Sequence, residues 1–191
     1  FADVELKTGS MCPKSIEKLI SKRTKAILVV HQFGMPANMN SIMDIASRYN
    51  LKVIEDCAQA HGAKYKNKSV GTWGDINAWS FCQDKILTTG GEGGIVTTNN
   101  ADLYKRAWSL KDHGKDYDTV FNKEHPPGFR WLHKNIGTNW RMMPIQAVIG
   151  IEALNLLDDW VNHRRMIANI YNENLKDISG VRLTLPPENI Y

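Results

Sequence analysis

The chain has 191 residues, of which 24 are Lys or Arg and 20 are Asp or Glu, so its net charge is +4. Apolar residues make up 42% of it and charged residues 23%, the balance of a globular protein, which excludes intrinsic disorder. No apolar run approaches the roughly 20 residues that a helix needs to cross a bilayer. The charge is also too small to indicate a nucleic-acid partner, so we expect neither a membrane nor a nucleic-acid role.

The first half of the chain predicts a strand–helix–strand unit. Residues 26–31 form a continuous apolar run, which is typical of a strand buried on both faces. A helix capped by Asn40 is predicted to run to about Tyr49, and a second apolar strand follows at 52–57. Short connections favour parallel strands with a right-handed crossover. Two elements are predicted before this unit: a short alternating strand at 1–6 and a helix at 13–21.

The second half continues the sheet and then becomes helical. Strands are predicted at 76–81 and 94–98, and a helix at 101–111. Segment 112–140 is polar, aromatic and long for a structureless loop, so it is a candidate functional loop. Residues 144–176 have a helical pattern throughout, with Gly150 as a candidate bend. These elements predict an α/β fold with a mostly parallel sheet flanked by helices, in which ligands gather at the carboxyl ends of strands.

The cysteines indicate reduced thiols. Cys12, Cys57 and Cys82 are odd in number and irregularly spaced, which does not fit a disulfide framework. No Cys-x-x-Cys pair and no His-x-x-x-His pair is present, so no metal site is predicted. Three reduced thiols are typical of a cytoplasmic protein.

Two charged residues follow predicted strands, and each has a simpler interpretation when it is taken alone. Asp56 ends an apolar strand, where it would need a partner, but for this residue alone a cap of a following helix at 58–60 is favoured. Lys85 comes five residues after Ser80, at the end of the next strand, but a lysine there is usually solvated. A run of four glycines within residues 90–94 then lets the backbone turn sharply or approach a ligand closely.

Taken together, these residues match the needs of one cofactor, pyridoxal 5'-phosphate. A lysine can form a Schiff base with its aldehyde, and a carboxylate can hold its pyridine nitrogen protonated. Hydroxyl and backbone N–H groups can bind its phosphate. The glycine run fits neither a Walker P-loop nor a dinucleotide fingerprint, so a nucleotide-binding module is the weaker interpretation.

Four motifs, in this order and spacing, resemble the DegT/DnrJ/EryC1/StrS aminotransferases, which are fold-type I, pyridoxal-phosphate-dependent enzymes that aminate nucleotide-linked keto sugars. The motifs are Val53-Ile54-Glu55-Asp56-Cys57-Ala58-Gln59-Ala60-His61-Gly62-Ala63, Gly71-Thr72-Trp73-Gly74-Asp75, Trp79-Ser80-Phe81-x-x-x-Lys85 with Gly91-Glu92-Gly93-Gly94, and Gly137-Thr138-Asn139-Trp140-Arg141-Met142. The resemblance covers essentially the whole chain.

The resemblance implies a role for each matching residue. Lys85 would be the Schiff-base lysine and the catalytic acid and base. Asp56 would pair with the pyridinium nitrogen, and Gln59 would lie beside the ring near its phenolic oxygen. Ser80 would bind the phosphate, and Asn139 would reach the phosphate of the neighbouring subunit, because the family's active sites form at a homodimer interface.

The resemblance leaves four further side chains open. Arg141 would support the loop that carries Asn139. His31, His61 and His113 match positions near the family's active site, but each can equally be a hydrogen-bonded structural histidine.

The implied reaction moves an amino group from an amino acid, usually glutamate, to the ketone of a nucleotide-linked sugar. The resemblance is strongest to enzymes that aminate C4 of a 4-keto-6-deoxyhexose, such as perosamine synthases, whose products enter bacterial surface polysaccharide. This subgroup assignment depends on the residues around Lys85 and on a long aromatic insert around Pro126 to Trp131.

The resemblance also divides the chain. Residues 1–143 would be part of a cofactor-binding large domain that lacks its N-terminal portion, 144–180 a helical connection, and 181–191 the start of a truncated small domain. On this interpretation both ends look cut. An alternative is therefore that the chain is a non-catalytic piece of such an enzyme that only folds and self-associates.

Overall fold

The computed structural model describes residues 1–124, 133–187 and 190. Its helices are α1 (Pro13–Leu19), α2 (Met39–Arg48), α3 (Ala101–Lys111), α4 (Tyr117–Phe121), α5 (Pro144–Asn155) and α6 (Leu157–Leu175). Its strands are β1 (Ala26–Val30), β2 (Lys52–Asp56), β3 (Lys64–Tyr65), β4 (Lys68–Ser69), β5 (Ile76–Ser80) and β6 (Gly94–Thr97). The predicted insert around Pro126 to Trp131 lies outside the described residues.

Four strands form one sheet in the order β1-β2-β5-β6. The strands β1, β2 and β5 are parallel, and β6 runs antiparallel to β5. This is the predicted α/β fold with a mostly parallel sheet flanked by helices. In the register of the parallel strands, Val30 lies opposite Asp56, and Asp56 lies opposite Ala78.

The main core lies between one face of this sheet and the helices α1 and α2. Its buried residues include Val29 and Val53 from the strands and Met39 and Ile42 from α2. Burial of such aliphatic side chains contributes about 1.5–3 kcal/mol each, so this contact anchors β1 and β2. The helix α2 begins earlier than predicted because Asn38, rather than Asn40, accepts the N–H of Ser41 at its side-chain oxygen.

Two predicted elements at the ends of the chain take other forms. Residues 1–6 are not a strand: within the described part of the chain, their only ladder contact is an isolated bridge between Val4 and Met11, on either side of a turn. The pattern over 144–176 is helical, but it breaks at Leu156 into α5 and α6 rather than bending at Gly150. No helix among the described residues is long and apolar enough to span a bilayer.

Gly150 has a packing role inside α5. A Cβ at this position would lie 2.9 Å from Cγ2 of Thr89, closer than side chains approach one another. The glycine therefore lets α5 approach the glycine-rich segment that follows Lys85.

Candidate active site

The predicted site begins at the carboxyl ends of two neighbouring strands. Asp56 is the last residue of β2, and Ser80 is the last residue of β5. Because Asp56 lies opposite Ala78, and side chains two residues apart share a face, Asp56 and Ser80 project from the same face of the sheet. The edge of the sheet thus carries the predicted carboxylate and the predicted hydroxyl together.

Lys85 lies in a closed loop that continues from β5. The N–H of Phe81 donates to the carbonyl of Gly93 at 2.8 Å, and the N–H of Thr89 donates to the carbonyl of Phe81 at 3.2 Å. These two bonds close the 81–93 segment over the end of the strand. The Lys85 side chain is only 20% exposed, and its Nζ lies 3.6 Å from Oδ1 of Asp84.

The helix α5 holds the far side of this loop. Nε2 of Gln146 donates to the carbonyl of Glu92 at 2.6 Å, and the buried Thr89 contacts the glycine position of α5 described above. The loop also uses a backbone conformation that favours glycine, because Gly91 has φ of 146°. The glycine run therefore shapes the Lys85 loop and lets a helix pack against it.

Asp56 and Ser80 each keep hydrogen-bonding capacity for a ligand. Oδ1 of Asp56 accepts the N–H of Ala58 at 3.0 Å, closing a turn, and no helix forms over 58–60 for it to cap. Oγ of Ser80 accepts the N–H of Cys82 at 3.3 Å. Since the serine oxygen accepts this bond, its own O–H can still donate to another group.

Gln59 is exposed beside the same edge and has a fixed orientation. Its Oε1 accepts the backbone N–H of Phe33 at 2.9 Å. Only the carbonyl oxygen of an amide can accept this hydrogen, so the NH2 group of Gln59 takes no part in this hydrogen bond. Phe33 itself has φ of 55°, an uncommon conformation for a bulky residue, and its side chain is exposed.

Glu55 is a central residue that the sequence reasoning missed. It is fully buried, and Nε2 of His31 lies 2.9 Å from its Oε2. The backbone N–H groups of Gly71, Trp73 and Gly74 also donate to its carboxylate, at 2.7, 2.7 and 2.6 Å. Burial alone would raise the pKa of Glu55, but these hydrogen bonds together hold that pKa below its ordinary value. The sequence contains a signal for this role, because Glu55 is a carboxylate in an apolar strand and a glycine-rich turn follows it.

The three histidines have different surroundings. His31 is fully buried beside Glu55, as expected of a hydrogen-bonded structural histidine. His61 is buried against Trp79, and burial lowers the pKa of its ring, so His61 is neutral at pH 7. His113 has φ of 60°, and its carbonyl accepts Nδ1 of His133 at 2.8 Å.

Cys57 follows Asp56 and is fully buried. Its Sγ lies within 4.8 Å of donor atoms of His31 and Glu55. Burial, together with the charges of Glu55 and Asp56, strongly raises the pKa of this thiol, so Cys57 carries its proton at pH 7. All three cysteines are free.

Asn139 lies outside this group. It is exposed, forms an isolated bridge with Asp112, and its Oδ1 accepts Nε of Arg141 at 3.0 Å. Among the described residues, its hydrogen bonds reach neither Asp56 nor Lys85. Arg141 thus contacts Asn139 directly.

A cleft of about 870 Å³ lies elsewhere, between the sheet and α6. Asn77 and Trp79 contribute to its lining, together with Val161 of α6. Because adjacent strand residues point to opposite faces, this cleft lies on the other face of the sheet from Ser80. The predicted cofactor residues Asp56 and Lys85 do not line it.

Comparison with known families gives a match over nearly the whole chain. The family model of the DegT/DnrJ/EryC1/StrS aminotransferase family matches residues 1–190. The chain belongs to this family. The match supports the resemblance on which the site residues were predicted.

Two similar proteins carry names of amino-sugar biosynthesis. The chain is 42% identical to a GDP-perosamine synthase of Escherichia coli O157:H7, over 95% of the chain and 47% of that protein. It is 43% identical to a dTDP-3-amino-3,6-dideoxy-alpha-D-galactopyranose transaminase of Aneurinibacillus thermoaerophilus, over 93% and 46% of the two chains. The chain therefore spans about half the length of the curated relatives it matches.

Solved structures confirm the fold. An aminotransferase from Psychrobacter cryohalolentis superposes with a TM-score of 0.89 at 51% identity, covering 92% of this chain and 45% of that one. The S. venezuelae enzyme DesV, solved in complex with a ketimine intermediate, superposes with a TM-score of 0.87 at 31% identity, covering 100% and 48%.

Proposed function

We propose that the protein containing this chain is a pyridoxal-phosphate-dependent aminotransferase that moves an amino group from an amino acid, glutamate by preference, to a nucleotide-linked keto sugar. One observation carries the proposal: a carboxylate, a hydroxyl and a lysine lie at one sheet edge in a chain of this family. Asp56 and Ser80 end neighbouring strands on one face, and Lys85 lies in the closed loop that follows Ser80.

The donor set fits pyridoxal phosphate. Asp56 offers an anion for a pyridinium nitrogen, and Ser80 offers an O–H for a phosphate. Lys85 offers an amine on a short loop that α5 supports. The orientation of Gln59, with its NH2 left over, suits the anionic ring oxygen of the cofactor.

The chain's own residues would divide the work as follows. When bound, the cofactor supplies an electron sink that makes the α-proton of the amino donor acidic. Lys85 would take this proton at Nζ and donate it again later in the reaction, which is general acid–base catalysis by one group. Asp56 would keep the cofactor ring oriented and electron-poor, and Ser80 would hold the phosphate end.

The relatives' names favour the substrate class. They act, by name, on GDP- and dTDP-linked sugars, so we propose a nucleotide-linked sugar here, aminated at C4 as in the perosamine synthases. We further propose that the product enters bacterial surface polysaccharide, that the protein is cytoplasmic, and that it works as a homodimer. In that homodimer, the exposed Asn139 would reach the phosphate of the neighbouring subunit.

Borohydride trapping tests the cofactor assignment. The full-length protein is loaded with pyridoxal phosphate, reduced with borohydride and digested, and the labelled peptide is identified by mass spectrometry. The label should fall on Lys85 and disappear in the variant Lys85→Ala. A label on another lysine would contradict the assignment of Lys85.

The alternative, a non-catalytic piece that only folds and self-associates, makes a different prediction. Equilibrium dialysis of the 191-residue chain with pyridoxal phosphate separates the two. Binding that is lost in Asp56→Ala supports the cofactor site in this chain, whereas no binding by a folded chain supports the alternative.

A further inference from the structure

Two features of the Glu55 network are not explained by stability alone. Its histidine, His31, begins the tight turn that contains Phe33, and Phe33 is the residue whose N–H holds Gln59. The carbonyl of Asp56, beside Glu55 in the chain, accepts the N–H of His31 at 3.1 Å. The buried pair is therefore connected to Asp56 through the backbone and to Gln59 through the turn.

The hydrogen bonds of His31 fix its protonation. The backbone N–H of Ala37 donates to Nδ1 at 3.2 Å, so Nδ1 is an acceptor. Nε2 must then carry the hydrogen, which it donates to Glu55. Both ring nitrogens therefore form hydrogen bonds, Nδ1 with Ala37 at the end of the turn and Nε2 with Glu55 on β2. The neutral ring ties the 31–37 segment to the strand that carries Asp56.

The turn links His31 to Gln59. The N–H of Gly34 donates to the carbonyl of His31 at 3.2 Å, and a Cβ on Gly34 would lie 3.1 Å from the carbonyl oxygen of Gln59. The turn therefore packs closely on the backbone of Gln59 while Phe33 holds its side chain. Phe33 keeps its left-handed conformation, which costs a bulky residue free energy, because both ends of the turn are tied down.

We propose that His31 and Glu55 are a positioning pair that, through the turn at Phe33, holds the Gln59 amide with its NH2 group directed at the ring oxygen of the cofactor. The inference depends on the proposed function, because the oxygen belongs to pyridoxal phosphate. Among the described residues, no oxygen accepts a hydrogen bond from this NH2 group. The pair itself contacts no ligand and acts only through the turn.

A double-mutant cycle on cofactor affinity tests the proposal in the full-length protein. His31→Asn replaces the imidazole ring with a shorter side chain that cannot reach Glu55. Gln59→Ala removes the side-chain amide. We expect His31→Asn to weaken pyridoxal phosphate binding about tenfold, the value of one hydrogen bond to a charged group. In the Gln59→Ala background the same change should weaken binding less than about twofold, because the group it positions is gone. Equal losses in both backgrounds would overturn the proposal.

Gln59→Glu is a second variant that does not disturb the core, since Gln59 is exposed. A carboxylate can still accept the N–H of Phe33, but it cannot donate to the cofactor. We expect binding to weaken more than in Gln59→Ala and the visible absorbance band of the bound cofactor to move. Wild-type affinity with an unmoved band would refute the orientation of the amide.

Tyr65→Phe is the matched control for loss of stability. Tyr65 is buried in the same core and donates a hydrogen bond at 3.0 Å to Asn38, the residue that caps α2, and not to a residue of the turn at 32–34. It should lower the unfolding temperature without changing cofactor affinity or absorbance. If the wild-type protein binds no pyridoxal phosphate, the proposed function fails as well; if it binds and the cycle is additive, only the positioning role fails.

Discussion

Glu55 and Asp56 are neighbours on β2, yet the two faces of the sheet give them opposite surroundings. Glu55 is fully buried and receives hydrogen bonds from His31 and three backbone N–H groups. Asp56 is half-buried and accepts one N–H, from Ala58. A carboxylate whose acceptor sites are filled can support the fold, whereas one with open sites can bind a cation.

The same division extends along the sheet. On the Glu55 face, apolar side chains such as Val29 and Val53 pack under α2. On the Asp56 face, Ser80 and the loop of Lys85 present an O–H and an amine. One face of the sheet therefore carries residues that hold the sheet together, and the other carries residues available for chemistry. The following variants test this division between the two faces.

Lys85 should show the largest effect on the rate of the reaction. Replacing it with Ala removes the group that moves the proton, so transamination should fall by about 10²–10⁴-fold. The side chain is 20% exposed, and among the described residues its ion pair is with the exposed Asp84 alone, so the unfolding temperature should change little. Steady-state assays with a nucleotide-linked keto sugar measure the rate, with the exposed Lys14→Ala as the control. Near-normal turnover by Lys85→Ala would remove Lys85 from catalysis.

Glu55→Ala should show the largest effect on stability. It leaves His31 and three backbone N–H groups without their acceptor. Each buried donor left unsatisfied costs about 1–3 kcal/mol, so we expect the free energy of unfolding to fall by several kcal/mol. Asp56→Ala should stay within about 1 kcal/mol of wild type, because it removes a half-buried group with one hydrogen bond. Urea unfolding followed by circular dichroism gives both values. Equal losses in the two variants would contradict the division between the faces.

Gly93→Ala tests whether the Lys85 loop is closely packed. A Cβ there would lie 2.2 Å from Oγ1 of the buried Thr89, so the loop must shift at a cost of about 1–3 kcal/mol. Because the same loop positions Lys85, cofactor affinity should also fall. Gly9→Ala is the control: its φ of 69° disfavours alanine, but no atom lies within 4 Å. It should destabilise the protein and leave cofactor affinity unchanged.

Much of the fold was predictable because the spacing of apolar residues along the chain is a local signal. The strands β1, β2, β5 and β6 end within one residue of the predicted strands at 26–31, 52–57, 76–81 and 94–98. The break at Leu156 was not predicted, because the apolar pattern continues through it. The role of Gly150 depends on Thr89, sixty-one positions earlier in the chain, and no local pattern reports such a contact.

The site was predictable only in part. Asp56, Ser80 and Lys85 follow strands and match family motifs, so their shared edge followed from topology. Glu55 was overlooked because its partners come from His31 and the 71–74 segment, which are distant in sequence and meet only in the folded sheet. The roles of Gln59 and Asn139 at a bound cofactor stay predictions.

The smallest expected effect is a pH dependence of stability that belongs to Glu55. Its pKa is lower in the folded protein than the ordinary value of 4.5, since the hydrogen bonds outweigh the effect of burial. The resulting stabilisation is fully present above pH 4.5 and is lost as the pH falls through the folded-state pKa. Wild-type protein should therefore lose more unfolding free energy between pH 5 and pH 3 than Glu55→Gln. Urea titrations at each pH measure this difference, and because every other carboxylate is common to both proteins, parallel curves would mean that Glu55 does not ionise differently on folding.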